Sequence, residues 1–168
     1  RRTTSIAYCL HRRRPVSRLK ALHTASHRRS LPTARFALRM RDNREGTATV
    51  NSEIYYGLGL DNSGNRLGLY SMTFDPRNTL VDSTVTVYGT ESTTGGLAWR
   101  TANLNPIDIG ANSYLGFTAR QGSTAGPSAI QELISTVKVQ AVIDARQNLD
   151  LSTDTLLDGS ATLEVIYL

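Results

Sequence analysis

Most of this 168-residue chain lacks histidine and cysteine, two side chains that carry much of protein chemistry. The only cysteine is Cys9, and the last of the three histidines is His27. Residues 28–168 therefore contain no Ser-His-Asp triad, no cysteine nucleophile and no zinc site built from His and Cys. A lone cysteine also excludes an intrachain disulfide. The composition predicts that the chain is not an enzyme, has no catalytic or metal-ligating residues and needs no cofactor.

Long hydrophobic runs are also missing from the sequence. No apolar stretch approaches the roughly 18–20 residues that span a bilayer, so we expect no membrane partner. The carboxylates after residue 48 lie mostly in predicted turns or on polar faces, which favours solvated surface over carboxylate-pair hydrolysis. Trp99 and the tyrosines of the same region are favoured as core residues rather than as sugar-stacking surfaces. We expect no small-molecule substrate.

Acidic residues are absent before Asp42. Residues 1–48 contain 13 Lys and Arg and two acidic residues, a net charge of +11, whereas residues 49–168 contain six basic and twelve acidic residues, a net charge of −6. This split predicts two parts, a basic Arg-rich arm over residues 1–46 and an acidic body over residues 47–168.

The arm is predicted to be disordered, because dense like charges repel one another and Pro15 and Pro32 interrupt any long helix. Three interpretations stay open: nucleic-acid binding, an organellar presequence and a solvated tail. We favour the first, because arginine outnumbers lysine twelve to one and suits bidentate, sequence-independent phosphate contacts. The residues predicted to bind nucleic acid are Arg1, Arg2, Arg12, Arg13, Arg14, Arg18, Lys20, Arg28, Arg29 and Arg35.

The body shows short alternations of apolar and polar residues, separated by Gly, Asn, Asp and Pro. Val81, Val85 and Val87, for example, alternate with polar residues as in a strand with one solvated face. Strands are predicted at 54–58, 67–74, 81–88, 97–103, 113–120, 136–143, 148–151 and 160–168.

Two connections in the body have distinctive sequences. Residues 61–65, Asp-Asn-Ser-Gly-Asn, have strong turn chemistry and predict a hairpin between the first two strands. Half of a calcium loop is the less favoured interpretation, because the distal Glu of an EF-hand is missing. Residues 128–134 have the spacing of a capping box and predict a short helical turn that continues into the strand at 136–143.

Two resemblances follow from these patterns. The basic arm joined to a body of eight predicted strands resembles the layout of coat proteins of small icosahedral viruses. That family implies an arm lying on the genome and a jelly roll that tiles the shell. The body alone resembles secreted bacterial sandwich domains, since residues 161–168 are similar to the Tyr-containing terminal strand of pilin subunits. Residues 113–119 are similar to a strand of concanavalin-like lectins.

The sequence therefore predicts an all-β protein, an antiparallel β-sandwich or jelly roll of about eight strands with a disordered basic N-terminal arm. The expected function is that of a self-assembling coat protein in a virion, a homo-oligomer whose arm contacts nucleic acid. The alternative is a secreted or cell-surface sandwich module, such as a fibre subunit, adhesin or lectin, in which the N-terminal segment is not part of the mature domain.

Overall fold

The structure is a computed structural model that describes residues 16–22, 33–83 and 86–168, the first of these as the backbone of a strand only. The described chain is almost entirely β, with ten strands, one 3-10 helix and no α-helix. The 3-10 helix spans Arg146–Asn148. The strands are β1 (Val16–Leu22), β2 (Ala34–Asp42), β3 (Tyr56–Gly57), β4 (Gly68–Val81), β5 (Tyr88–Ser92), β6 (Ile107–Asp108), β7 (Tyr114–Thr118), β8 (Ala129–Ile130), β9 (Glu132–Ile143) and β10 (Ala161–Tyr167).

The strands form two five-stranded antiparallel sheets. The first sheet has the order β1-β9-β4-β3, with β6 also paired to β4, and the second has the order β10-β2-β7-β5, with β8 also paired to β2. The long β4–β9 ladder changes register between Phe74 and Thr79. Pro76 lies in this interval and has no N–H to donate, which accounts for the interruption of the ladder.

Both sheets contribute side chains to one hydrophobic core. Phe36, Leu38 and Met40 of β2 are all buried in it, because alternate side chains of a strand point to the same face. Phe74 of the first sheet and Phe117 of the second meet in this core with their ring centroids 6.5 Å apart.

The predicted boundary between arm and body, at residues 46 and 47, is wrong. Strand β2 lies between β10 and β7 in the second sheet, so the sheets include residues before the predicted boundary, and the continuously described part of the body begins near residue 34. The predicted disorder is likewise wrong for β2 and for β1, whose backbone pairs with β9. Residues 1–32 then hold nine basic and no acidic residues, a net charge of +9, and residues 33–168 hold ten basic and 14 acidic residues, a net charge of −4.

Four of the predicted strands are confirmed, at 67–74, 113–120, 136–143 and 160–168, by β4, β7, β9 and β10. The predicted hairpin is also confirmed, since β3 pairs with β4 through Tyr56 and Tyr70.

Four predicted elements are wrong. Residues 81–88 are not one strand, because Asp82 and Ser83 have positive φ angles of 49° and 66° and end β4. The helical turn at 128–134 is instead β8 and the start of β9. The segment 97–103 runs beside β5, to which it bonds through an isolated bridge at Asn103 and through Arg100, but it forms no strand. Residues 148–151 comprise the last residue of the 3-10 helix and three residues after it that form no strand.

Candidate functional site

The residues predicted to bind nucleic acid fall into three groups. Arg18 and Lys20 belong to β1, opposite Thr136 and Ile134 of β9. Arg35 lies in β2, and it alone of the predicted set has a described side chain. The other seven, Arg1, Arg2, Arg12, Arg13, Arg14, Arg28 and Arg29, lie outside the described residues.

Strand β2 carries arginines on the face opposite the core. Arg35, Arg39 and Arg41 alternate with the buried Phe36 and its apolar neighbours, so the three guanidinium groups point away from the hydrophobic cluster. Arg39 and Arg41 were not among the residues predicted to bind nucleic acid. The period of two in residues 35–41 is the signal that could have identified a strand with a basic outer face.

One carboxylate lies between two of these arginines. Glu164 of β10 is next to β2, and its oxygens are 3.7 Å from an Nη atom of Arg39 and 3.6 Å from an Nη atom of Arg41. Arg39 also donates a hydrogen bond of 2.6 Å to the side-chain oxygen of Asn112. Two guanidinium groups and one carboxylate leave this part of the sheet with a net positive charge.

Arg35 makes a different set of contacts from its neighbours on β2. Its Nε donates to the carbonyl oxygen of Pro127 at 3.1 Å, and one Nη donates to that of Ala125 at 2.8 Å. Both acceptors are neutral, so these bonds fix the position of the guanidinium group without neutralising its charge.

Asp61 is held by the turn in which it lies. Its Oδ1 accepts backbone hydrogen bonds from Ser63 and Asn65, and its Oδ2 accepts from the side chain of Asn65 and the backbone of Asp150. These bonds, led by the one from Asp150, lower the pKa of Asp61 to about 2. The Asp61 carboxylate therefore stabilises the turn through these four hydrogen bonds. No group of three or more His, Cys, Asp or Glu in the described part of the chain is arranged to hold a metal ion.

Several other carboxylates are paired with arginines. Glu91 is 3.0 Å from a guanidinium nitrogen of Arg100, and Asp158 bonds to Arg44. Asp75 pairs with Arg77 at 2.8 Å, and the hydrogen bonds from the Arg77 side chain lower the pKa of Asp75. These pairs give the carboxylates structural roles, that of Glu91 at a buried position.

An acidic cleft of about 510 Å³ lies at the end of β2 that carries Asp42. Glu45 and Glu53 line it together with Tyr55 and Arg66. Burial raises the pKa of Asp42, although the backbone N–H groups of Gly57 and Arg44 donate to its carboxylate and act in the opposite direction. The cleft therefore offers carboxylates, a phenol and one guanidinium group to a ligand.

The aromatic side chains divide between core and surface. Tyr56 and Tyr70 are buried and stacked, with ring centroids 5.3 Å apart, which confirms the core interpretation for these two. Trp99 and Tyr114 are half-buried, and Tyr167 is exposed.

The sequence matches no protein-family model, and neither a curated protein nor a solved structure shows significant similarity to it. None of the helices among the described residues is long and apolar enough to cross a membrane.

Proposed function

We propose that the chain is a self-assembling structural protein of the coat type. In this proposal its two sheets pack face to face as a β-sandwich that forms a shell, and its basic N-terminal arm contacts nucleic acid inside a virion. The shared hydrophobic cluster and the contact between Phe74 and Phe117 support the sandwich, because two packed sheets form their core from the facing sides.

The charge partition is the observation that carries the proposed function. Residues 1–32, which include β1, have a net charge of +9, and residues 33–168 have a net charge of −4. A segment of this charge neutralises phosphates and releases their counterions, and the rest of the chain has no comparable excess of positive charge. The division favours a subunit that holds nucleic acid through one segment and forms contacts with its own copies through another.

Exposed apolar side chains support the homo-oligomeric part of the proposal. Leu97 is 91% exposed and Leu156 is 69% exposed, and Val142 and Ile143 are more than half exposed at the end of β9. Side chains of this kind lose water-accessible area when copies associate, which stabilises the assembly.

The test must keep β2, because deleting all of residues 1–41 would remove most of a core strand. We therefore choose a full-length variant in which Arg1, Arg2, Arg12, Arg13, Arg14, Arg28 and Arg29 are all replaced by Gln. Light scattering after size-exclusion chromatography gives the mass of each assembly, and the absorbance ratio at 260 and 280 nm gives its nucleic-acid content. We expect the unaltered chain to form particles that contain nucleic acid and the variant to form empty ones. A soluble monomer that carries no nucleic acid would contradict the proposal.

A second candidate function, a glycan-binding surface module, is favoured by the acidic cleft. Asn51, Glu53 and Asn112 place amide and carboxylate groups around the half-buried Tyr55, a combination of planar polar groups and an aromatic ring that suits a sugar. Glycan-array binding that disappears in Glu53→Gln, and that is unchanged in the variant lacking seven arginines, would support this function over the coat protein.

A further inference from the structure

An open groove of about 590 Å³ lies where β2 begins, beside the loop that follows β7. Two arginines, Arg35 and Arg120, line it together with the hydroxyl groups of Thr118, Ser123 and Ser128. No carboxylate among the described residues lines this groove. It is therefore a positively charged concavity on a body whose net charge is negative.

The walls of the groove are tightly packed. A methyl group on Gly126 would lie 2.7 Å from the indole nitrogen of Trp99, and one on Gly116 would lie 2.8 Å from the ring of Pro127. Arg35 bonds to the carbonyl oxygen of that same proline. The loop is therefore packed against Gly116 of β7, bonded to Arg35 of β2 and packed against Trp99 outside the sheets, and the groove has a defined shape before any ligand binds.

The groove presents hydrogen-bond donors and positive charge to a ligand. A guanidinium group has five N–H donors, and the carbonyls of Pro127 and Ala125 take up two of those on Arg35. Arg120 is exposed. The hydroxyls of Thr118 and Ser128 lie 2.9 Å apart, and either one can rotate to donate to an added acceptor. Charged donors with mobile hydroxyls match the oxygens of a phosphate group.

The groove is also close to the basic segment of the chain. Arg35 is two residues after Thr33, where the continuous described chain begins, and residues 1–32 carry the charge of +9. Ala34 and Arg35 pair with β8, which follows directly from the loop that lines the groove. Arg29, the last basic residue of that segment, is six residues before Arg35 in the sequence, which at most is roughly 20 Å of extended chain.

We propose that this groove is a fixed phosphate-binding site for the backbone of a nucleic acid, in addition to the contacts of the N-terminal segment. Arg120 supplies the free charge, and Arg35 both shapes the groove and adds a second charge. The inference rests on the proposed function and adds to it a contact on the folded body. Because phosphates carry no base information, binding here is independent of sequence.

The test is a fluorescence-anisotropy titration of a labelled oligothymidine with the full-length chain at several salt concentrations. Arg120→Ala is the test variant, since the exposed side chain makes the substitution mild for folding. Arg146→Ala removes the same charge from an exposed position in the 3-10 helix and is the matched control. We expect Arg120→Ala to make the plot of log binding constant against log salt less steep by about 0.7, equivalent to roughly eightfold weaker binding at about 50 mM salt. Arg120→Lys restores most of the slope.

Two outcomes of this titration would contradict the proposed phosphate site. If Arg120→Ala and Arg146→Ala bind alike while the variant lacking seven arginines binds more weakly, the groove is not a phosphate site and the proposed function stands. If the unaltered chain does not bind the oligonucleotide at low salt, both the groove and the proposed function are contradicted.

Discussion

The two ends of β2 lie beside concavities of similar size and opposite charge. Arg35 lines the basic groove of about 590 Å³, and Asp42 lines the acidic cleft of about 510 Å³. Seven residue steps separate them, which is roughly 23 Å along an extended strand. Residues 33–168 have a net charge of −4, yet only one of the two concavities at the ends of β2 is acidic. Net charge therefore does not describe the surface that a polyanion meets, and the arrangement of a few arginines does.

The largest expected effect comes from the strand that joins the two ends. Leu38 is 1% exposed at the centre of β2, so Leu38→Ala should lower the free energy of unfolding by about 2–5 kcal/mol. Urea denaturation followed by circular dichroism measures this change. The matched control is Leu97→Ala, at a leucine that is 91% exposed, for which we expect a change within about 0.5 kcal/mol. Equal effects would show that β2 is not a core strand.

A smaller effect is expected at the groove end, as the difference in stability between two glycine variants. Gly126 has φ of +83° and a Cβ added there would meet the indole of Trp99, whereas Gly122 in the same loop has φ of +76° and open space where a Cβ would lie. An alanine at either position carries the cost of a left-handed backbone, about 1–2 kcal/mol. Gly126→Ala should add about 1–3 kcal/mol for the steric clash. Thermal unfolding of the two variants separates the steric cost from the backbone cost, because both variants carry the second and only Gly126→Ala carries the first. Identical unfolding midpoints would contradict the packing of the loop.

The smallest effect is on the pH dependence of stability, to which two aspartates should contribute with opposite signs. The folded pKa of Asp61, about 2, is below the usual value of 3.8, so its contribution to stability is present above about pH 4 and is lost as the pH falls towards 2. The pKa of Asp42, at the cleft, is raised by burial. Its carboxyl therefore contributes less stability as the pH rises above 3.8 through the folded value.

Unfolding measurements between pH 2 and pH 6 on Asp61→Asn and Asp42→Asn test this difference. The stability gap between the unaltered chain and Asp61→Asn should widen as the pH rises, and the gap for Asp42→Asn should change in the opposite direction. Asp154→Asn, at an exposed aspartate, serves as the control. Gaps that change in the same direction for both would contradict the assigned causes of the shifts.

Sequence patterns predicted the strands whose local alternation is also their burial pattern in the fold. Residues 67–74 and 160–168 include such alternation, at Tyr70, Met72 and Phe74 in the first and at Ala161 and Leu163 in the second. The turn at 61–65 was predicted because its side chains make the local bonds. The prediction for 97–103 failed because its apolar residues suggested a strand, whereas Leu97 is exposed and the segment is a loop that bonds to β5 only through Arg100 and Asn103 among the described residues. Tertiary packing determines that residues 97–103 form a loop, and the local residue pattern contains no information about that packing.

The boundary of the body failed for a different reason. The density of arginine in residues 1–46 was taken as evidence for one disordered segment, and it concealed the alternation around Phe36, Leu38 and Met40. Of the groove, only Arg35 was predicted. Arg120 and Ser123 come from a loop distant in sequence, and the pairing of β2 with β8 brings them beside the start of β2.

The central claim is that residues 1–32 hold nucleic acid through their arginines. The most direct measurement compares the salt dependence of oligothymidine binding by the unaltered chain and by the full-length variant with Gln at Arg1, Arg2, Arg12, Arg13, Arg14, Arg28 and Arg29. If each arginine contacts one phosphate, the variant's plot of log binding constant against log salt should be less steep by about 5. Equal slopes for the two proteins would contradict the claim.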